Sequence, residues 1–215
     1  MWMGYLRLAV ARDAAFCFYY NENLRELARA GLEPVFFSPL SDRALPEDVA
    51  GLYIGGGYPE LHAEGLSANS SLMVDIRQKA AAGLPVFAEC GGFMYLTEKI
   101  IVNEVDIKQY AMCAIIKDRC RRKGSLVRFG YVYIKDRTGL WLEKDAVIRG
   151  HEFHYYDADD NGDGAEVVKA SDGSCYDEIY ITANMWAGWP HLYLPGSSGF
   201  AESFEKKCRA YHTYR

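Results

Sequence analysis

Residues 83–96, Gly83-Leu-Pro-Val-Phe-Ala-Glu-Cys-Gly-Gly-Phe-Met-Tyr-Leu96, decide the fold. The apolar run Gly83 to Ala88 reads as a short buried strand, and Phe93 to Leu96 as the continuation into a helix. Cys90 falls at the sharp turn between them, above a sheet and at a helix N-terminus whose dipole favours thiolate. Gly91 and Gly92 are expected to give the turn its unusual backbone angles and to let a substrate approach the main chain. Such a turn is the cysteine counterpart of the strained serine elbow of α/β hydrolases. A buried structural cysteine beside a tight turn is the plain alternative.

Upstream of this stretch, strand and helix patterns alternate. Tyr5 to Ala11 predicts a strand, and Asn21 to Ala30 an amphipathic helix with Leu24, Leu27 and Ala28 on one face, stopped by Gly31. Pro34 to Phe37 and Gly51 to Ile54 predict two more strands, the second ending in Gly55-Gly56-Gly57. Ser70 to Ala82 predicts a helix closed by Gly83. This order implies an α/β fold with a mainly parallel sheet and helices on both faces. Beyond about residue 103 the texture becomes β-rich, with strand expectations at 110–117, 126–135, 146–153, 165–170 and 179–184. A closing helix is expected at 199–209.

Composition narrows the classes. With 215 residues, one domain spanning 1–215 is expected. A net charge of −5 gives no support for nucleic-acid or anionic-membrane partners. The basic cluster Arg119 to Lys123 reads as a solvated loop. Asp157 to Gly164 superficially resembles a calcium loop but lacks the spacing and terminal Glu of an EF-hand, so a hairpin turn is expected and no metal. The sequence has no 18-residue apolar run, and its six cysteines form no C-x-x-C pair, which points to a reducing, cytoplasmic setting with Cys90 a free thiol.

Three features can converge on one site, because loops at the carboxyl ends of parallel strands meet in a single crevice. Cys90 is the candidate nucleophile and His191, just past the expected final strand, the candidate general base. An N–H of the Gly55-Gly56-Gly57 loop together with that of Gly91 would make a two-donor oxyanion hole. A thiol attacking an amide carbon needs this set. Tyr58 and Glu60 beside the glycine loop are candidate substrate contacts. His151 and His154, three residues apart on an expected strand, should face opposite sides.

Several strings make the chain similar to a known family. Asp13-Ala-Ala-Phe-Cys-Phe-Tyr-Tyr-Asn-Glu-Asn23, Phe36-Phe-Ser-Pro-Leu-Ser-Asp42 and Gly51-Leu-Tyr-Ile-Gly-Gly-Gly-Tyr-Pro-Glu-Leu-His62 resemble cobyrinate a,c-diamide synthases. So do Glu89-Cys-Gly-Gly-Phe-Met-Tyr-Leu96, Phe129-Gly-Tyr-Val132 and Gly150-His-Glu-Phe-His-Tyr155. The resemblance is to the C-terminal, class I glutamine amidotransferase domain and covers nearly the whole chain. It implies a flavodoxin-like sheet, glutamine as substrate, a Cys90 thioester, His191 as its base, and Gly56 or Gly57 as the oxyanion donor beside Gly91. It also implies ammonia delivery to an ATP- and magnesium-dependent synthetase domain that amidates the a and c carboxylates of cobyrinate or a related tetrapyrrole. No Gly-x-x-x-x-Gly-Lys-[Ser/Thr] string occurs in this chain. The synthetase domain is therefore expected as a partner, with ATP and magnesium its cofactors and none here; a homodimer is left open.

Many class I glutaminases carry a Glu two residues after the histidine, where this chain has Tyr193. Glu152, Glu178 or His154 would then have to orient the base or line the site. A flavodoxin-like cysteine hydrolase of other specificity and a non-catalytic docking module are the competing expectations.

Overall fold

A computed structural model describes residues 4–103, 108–143, 146–196 and 199–213. Strand β1 (Leu6–Ala11), helix α1 (Asn21–Arg29), strands β2 (Leu32–Phe37) and β3 (Val49–Ile54), and a 3-10 turn at Pro59–His62 come first. Helices α2 (Ala63–Ala68) and α3 (Ser70–Ala81), strand β4 (Val86–Glu89) and helix α4 (Gly91–Leu96) follow. The second half holds β5 (Lys99–Asn103), β6 (Lys108–Ala111), β7 (Arg119–Arg122), β8 (Arg128–Asp136), β9 (Val147–His154) and β10 (Tyr156–Ala158). It continues with β11 (Ala165–Lys169), β12 (Cys175–Glu178), β13 (Tyr180–Ile181), β14 (Met185–Gly188), β15 (His191–Tyr193) and helix α5 (Phe200–Thr213).

The main sheet runs β13-β14-β4-β3-β1-β2 and is parallel apart from the β13–β14 pair. Its strands feed two cores by strict alternation. Leu6, Leu8 and Val10 pack with Leu27 of α1 and Phe200 and Phe204 of α5, whereas Ala9 and Ala11 pack with Leu66, Leu72, Ile76 and Phe93 from α2, α3 and α4. Helices therefore cover both faces, which is why these strands read as continuous apolar runs. At the centre Phe87 stacks on Tyr53 (4.5 Å, 11°) and meets Phe200 at 4.9 Å. Such aromatic pairs contribute about 0.5–1.5 kcal/mol each beyond area burial. Gly31 and Gly83, at φ 105° and 95°, end α1 and α3 as expected.

The second half departs from the expectations in three places. Strand β6 ends at Ala111, because the next residues bond to α4 instead: the N–H groups of Cys113 and Ile115 donate to the carbonyls of Tyr95 and Leu96. Residues 179–184 are not the final strand. The chain turns at Asn184, whose side-chain amide donates to the carbonyls of Ala80 and Leu84, and the strand beside β4 is β14. The basic cluster is not a loop but β7, with Cys120 buried and Arg119 and Arg121 both paired with Asp159. Asp159 belongs to the Asp/Gly-rich turn, and no group of three or more metal-ligating side chains occurs among the described residues.

A small sheet, β10-β7-β5-β6, packs on the α2–α4 side. An antiparallel sheet, β12-β11-β8-β9-β15, packs its inner face (Val132, Ile134, Ile148, Val167, Leu192) into the α1–α5 core. Its outer face is open to solvent and aromatic, with Phe129, Tyr131 and Tyr133 on β8 and Phe153 on β9 exposed. Across this sheet Tyr131 pairs with His151, and His151 with His191, so one lateral row ends on the histidine. Among the described residues no helix is long and apolar enough to cross a membrane.

Candidate active site

Cys90 adopts φ 48° and ψ −104° between β4 and α4. An L-residue there stores about 1–3 kcal/mol of strain, which the surroundings must hold. They do so on both sides: the Cys90 N–H donates to Gly188 O (2.8 Å) and Cys90 O accepts from Met94 N (3.0 Å). The strain thus sits on the cysteine and not, as expected from sequence, on Gly91 and Gly92, neither of which has positive φ. Those glycines serve close approach. A Cβ at Gly91 would lie 2.9 Å from Pro59 Cδ and 3.1 Å from Gly57 N, and one at Gly92 would run into the Ile54 carbonyl.

The glycine loop separates its three donors. The Gly55 N–H donates to Tyr19 Oη (2.9 Å) and the Gly56 N–H to Phe18 O (3.2 Å). The Gly57 N–H has no hydrogen-bond partner among the described residues, and its nitrogen would lie 3.1 Å from a Cβ built on Gly91. The Gly91 N–H acts on the Cys90 sulfur, favouring its charged form. Gly57, beside Gly91, is therefore the glycine of the loop whose N–H is uncommitted among the described residues, and Gly56 is not. Gly56 has a different use, since a Cβ there would collide with His191 Cε1.

His191 reaches this corner by a short route. Gly188, whose carbonyl holds Cys90, ends β14, and the chain returns through Trp189-Pro190 into β15. Trp189 is fixed by a hydrogen bond to Asn161 Oδ1 (2.6 Å) and by stacking on His154 (4.2 Å, 8°). The His191 ring lies edge-on to Phe18 (4.7 Å), and its Nδ1 has no hydrogen-bond partner among the described residues. Cys90, the glycine loop and His191 thus gather at the carboxyl ends of β4, β3 and β14.

Burial controls the electrostatics. It pushes the Cys90 thiol up to about 12, with the charges of Glu60, Glu89 and Glu152 acting the same way and the Gly91 N–H opposing them. The expected dipole effect does not prevail, because α4 is only six residues long. Burial also lowers His191 to about 4, helped by His151 and His154. At neutral pH the site holds a thiol and a neutral imidazole.

The other sequence candidates are spread around this centre. Tyr58 is exposed beside the 3-10 turn, while Glu60 on that turn is partly buried and acts electrostatically on Cys90. Glu152 points to the inner face of its sheet, opposite to His151, where it accepts a hydrogen bond from Tyr176. Burial and the charge of Glu152 push Glu178 well above the usual carboxyl range, so this buried pair keeps a proton on Glu178. His154 Nδ1 lies 2.7 Å from Tyr156 O and its Nε2 3.9 Å from Glu152 Oε1. No hydrogen bond joins Glu152, Glu178 or His154 to His191.

Three residues at the centre carry no sequence prediction. Tyr19 donates to Ala11 O and accepts from Gly55. Asn23 and Glu89, both fully buried, bond to the backbone around Leu192. Each left a trace: Asn23 shares the apolar face of α1 with Leu27, and Glu89 is a carboxylate in an otherwise apolar strand.

Comparison with known proteins places this arrangement. A CobB/CobQ-like glutamine amidotransferase domain model matches residues 7–198. A cobyrinate a,c-diamide synthase of Picrophilus torridus is 41% identical over 204 residues, covering 94% of this chain and 44% of that protein. One of Priestia megaterium is 38% identical over 208 residues, covering 95% and 45%. The chain thus spans less than half the length of these relatives. The fold matches a chain of PurLQS from Thermotoga maritima (TM-score 0.57, 15% identity, 96% of this chain and 99% of that one). It also matches a glutamine amidotransferase from Methylobacillus flagellatus (TM-score 0.57, 12% identity, 98% and 93%). With a strained cysteine, a glycine loop and a histidine gathered on that fold, the chain belongs to the CobB/CobQ-like glutamine amidotransferase family.

Proposed function

We propose that this chain hydrolyses glutamine to supply ammonia for an ATP-dependent amidation of tetrapyrrole carboxylates, those of cobyrinate or a close relative. The observation that carries the reading is the strained Cys90 with the Gly91 N–H next to it and the uncommitted Gly57 N–H beside Gly91. Cys90 Sγ attacks the side-chain amide carbon of glutamine while His191 takes the thiol proton. The developing oxyanion accepts from the N–H groups of Gly57 and Gly91, main-chain donors of the kind that stabilise such charge. The imidazolium then protonates the leaving nitrogen, ammonia departs, and water hydrolyses the thioester to glutamate with His191 again as base. Family membership supports glutamine as substrate, and the names of the relatives support the acceptor class.

ATP and magnesium act, in this reading, in an amidating half equivalent to the remainder of the longer relatives. We seat that half on the outer aromatic face of the antiparallel sheet. Phe129 and Tyr131 there are 61% and 74% exposed, and the row Tyr131–His151–His191 makes the face continuous with the catalytic corner. A cavity of about 310 Å³ opens at this junction, lined by Tyr20, Tyr131, Arg149, His151, His191 and Tyr193. Ammonia released beside His191 would pass directly to a partner covering that opening.

The test is covalent labelling. A diazo-ketone analogue of glutamine should alkylate Cys90, and Cys90→Ser and Cys90→Ala should lose glutamine hydrolysis while keeping the circular dichroism of the native fold. Turnover retained in either variant, or no labelling even with an amidating half present, defeats the assignment.

A further inference from the structure

We propose that Glu89, acting with Asn23, is a positioning residue that locks the backbone of the histidine strand onto the strand carrying the nucleophile. The inference rests on the reading of His191 as the base. Glu89 is the residue immediately before Cys90. Its Oε1 accepts the Leu192 N–H at 2.7 Å, and its Oε2 is held by the Tyr53 hydroxyl at 2.6 Å. The Leu192 carbonyl accepts from Asn23 Nδ2 at 2.7 Å, and Asn23 Oδ1 accepts the Leu194 N–H at 2.9 Å. Asn23 also acts on the titration of the Tyr53 hydroxyl, which closes the set into a ring of interactions. All three side chains are fully buried.

The ring answers a need visible in the site. His191 is at the edge of its sheet on a strand of three residues, and its Nδ1 has no side-chain partner to set the ring direction. Position 193, where a carboxylate could have supplied one, is a tyrosine exposed on the outer face. What remains is to fix the main chain on the far side of the imidazole and let packing do the rest. Glu89 and Asn23 bond to the residue after His191, and Phe18 and the bare Gly56 then border the space that the imidazole fills. Because Glu89 and Cys90 are adjacent on one backbone, displacement of β15 relative to the thiol must break the Glu89–Leu192 bond. A misplacement near 1 Å costs roughly a hundredfold in rate. Burial raises Glu89 to about 8, so at neutral pH the ring is held through the protonated acid, and only its ionised form adds to the upward push on the Cys90 thiol.

The experiment compares Glu89→Gln, Glu89→Ala and Asn23→Ala in the full chain. Glutamine hydrolysis is read as kcat and KM, and the His191 Cε1–H resonance by NMR. Gln can accept from Leu192 and donate to Tyr53, so Glu89→Gln should rescue: kcat within about threefold of wild type and an unmoved His191 resonance. Glu89→Ala and Asn23→Ala should each lower kcat by about 10- to 100-fold, with KM within about twofold and a shifted resonance. If Glu89→Ala fails to fold, Asn23→Ala carries the same prediction from the other side of the ring. An unmoved resonance in a folded Ala variant overturns the proposal whatever the activity. So does a wild-type kcat, or a loss confined to KM. A wild-type protein inert toward both glutamine and the diazo-ketone analogue would instead defeat the glutaminase reading, and the resonance would still decide the positioning role.

Discussion

Cys90 combines two properties that pull apart: a backbone raised to φ 48° for presentation and a sulfur buried enough to be held as a thiol. The first costs stability. Glycine adopts such angles without the 1–3 kcal/mol penalty, against an entropic cost of about 0.5–1 kcal/mol. Cys90→Gly should therefore be more stable than Cys90→Ala by about 1 kcal/mol in urea titrations. Equal midpoints would mean the turn is not strained. The second property sets reactivity. With the thiol pushed up to about 12, only a small thiolate fraction exists at neutral pH. Alkylation of Cys90 by iodoacetamide, followed by mass spectrometry, should rise about tenfold per pH unit between pH 7 and 9. A plateau below pH 8 would contradict a neutral resting thiol. His191, lowered to about 4 by burial, is likewise uncharged at neutral pH.

At the scale of elements, β4 and β15 are joined through a carboxylic acid whose proton matters to folding. The folded value of Glu89 is about 8 against an ordinary 4.5, so the folded protein keeps a proton that the unfolded chain releases. This contribution to stability is fully present below pH 4.5 and is lost progressively as pH rises through 8. The groups facing Glu89 are Tyr53 from β3, Tyr19 and Tyr20 from the segment before α1, and Cys90 in the turn that follows β4. Tyr53, Tyr19 and Cys90 are all pushed up by burial, so none of them becomes charged as Glu89 titrates. Glu89→Gln lacks the titration. Its stability relative to wild type should rise between pH 6 and 9 in denaturant melts. A difference flat in pH would show Glu89 already ionised at the low end. The same burial that makes the acid neutral makes its hydrogen bonds strong, since no water competes for Leu192 N–H or Tyr53 Oη.

At the scale of the molecule, the parallel sheet collects the chemistry and the antiparallel sheet presents a surface. Exposed Phe129, Tyr131, Tyr133 and Phe153 form one aromatic field that runs into the histidine row. Contiguous exposed apolar surface of this kind marks interaction sites. Tyr131→Asp and Phe129→Asp should leave glutamine hydrolysis by the isolated chain within about twofold. With the amidating half of a relative supplied, they should weaken association by about 10-fold or more, as truncated aromatic anchors do, and release ammonia to solvent. Unchanged association by both variants would remove this face as the seat of the partner.

How much of this was legible without coordinates follows from range. The parallel half could be read from its own residues: Leu24 and Leu27 mark the inner stripe of α1, Gly31 and Gly83 the stops of α1 and α3, and the apolar run before Cys90 its strand. These signals act over a few residues, where propensity and period dominate. The second half was read less well, because β14 and β6 were decided by long-range bonds, from Asn184 to Ala80 and from Cys113 to Tyr95, that no local pattern encodes. The same division holds at the site. Sequence alone determined that a cysteine elbow, a glycine loop and a late histidine exist in one chain. Only the tertiary structure decided which glycine keeps a free N–H, that the cysteine itself bears the strain, and that Glu89 and Asn23 hold the histidine strand. Those are facts of distance between residues up to 171 positions apart, fixed by packing and burial rather than by neighbours in the chain.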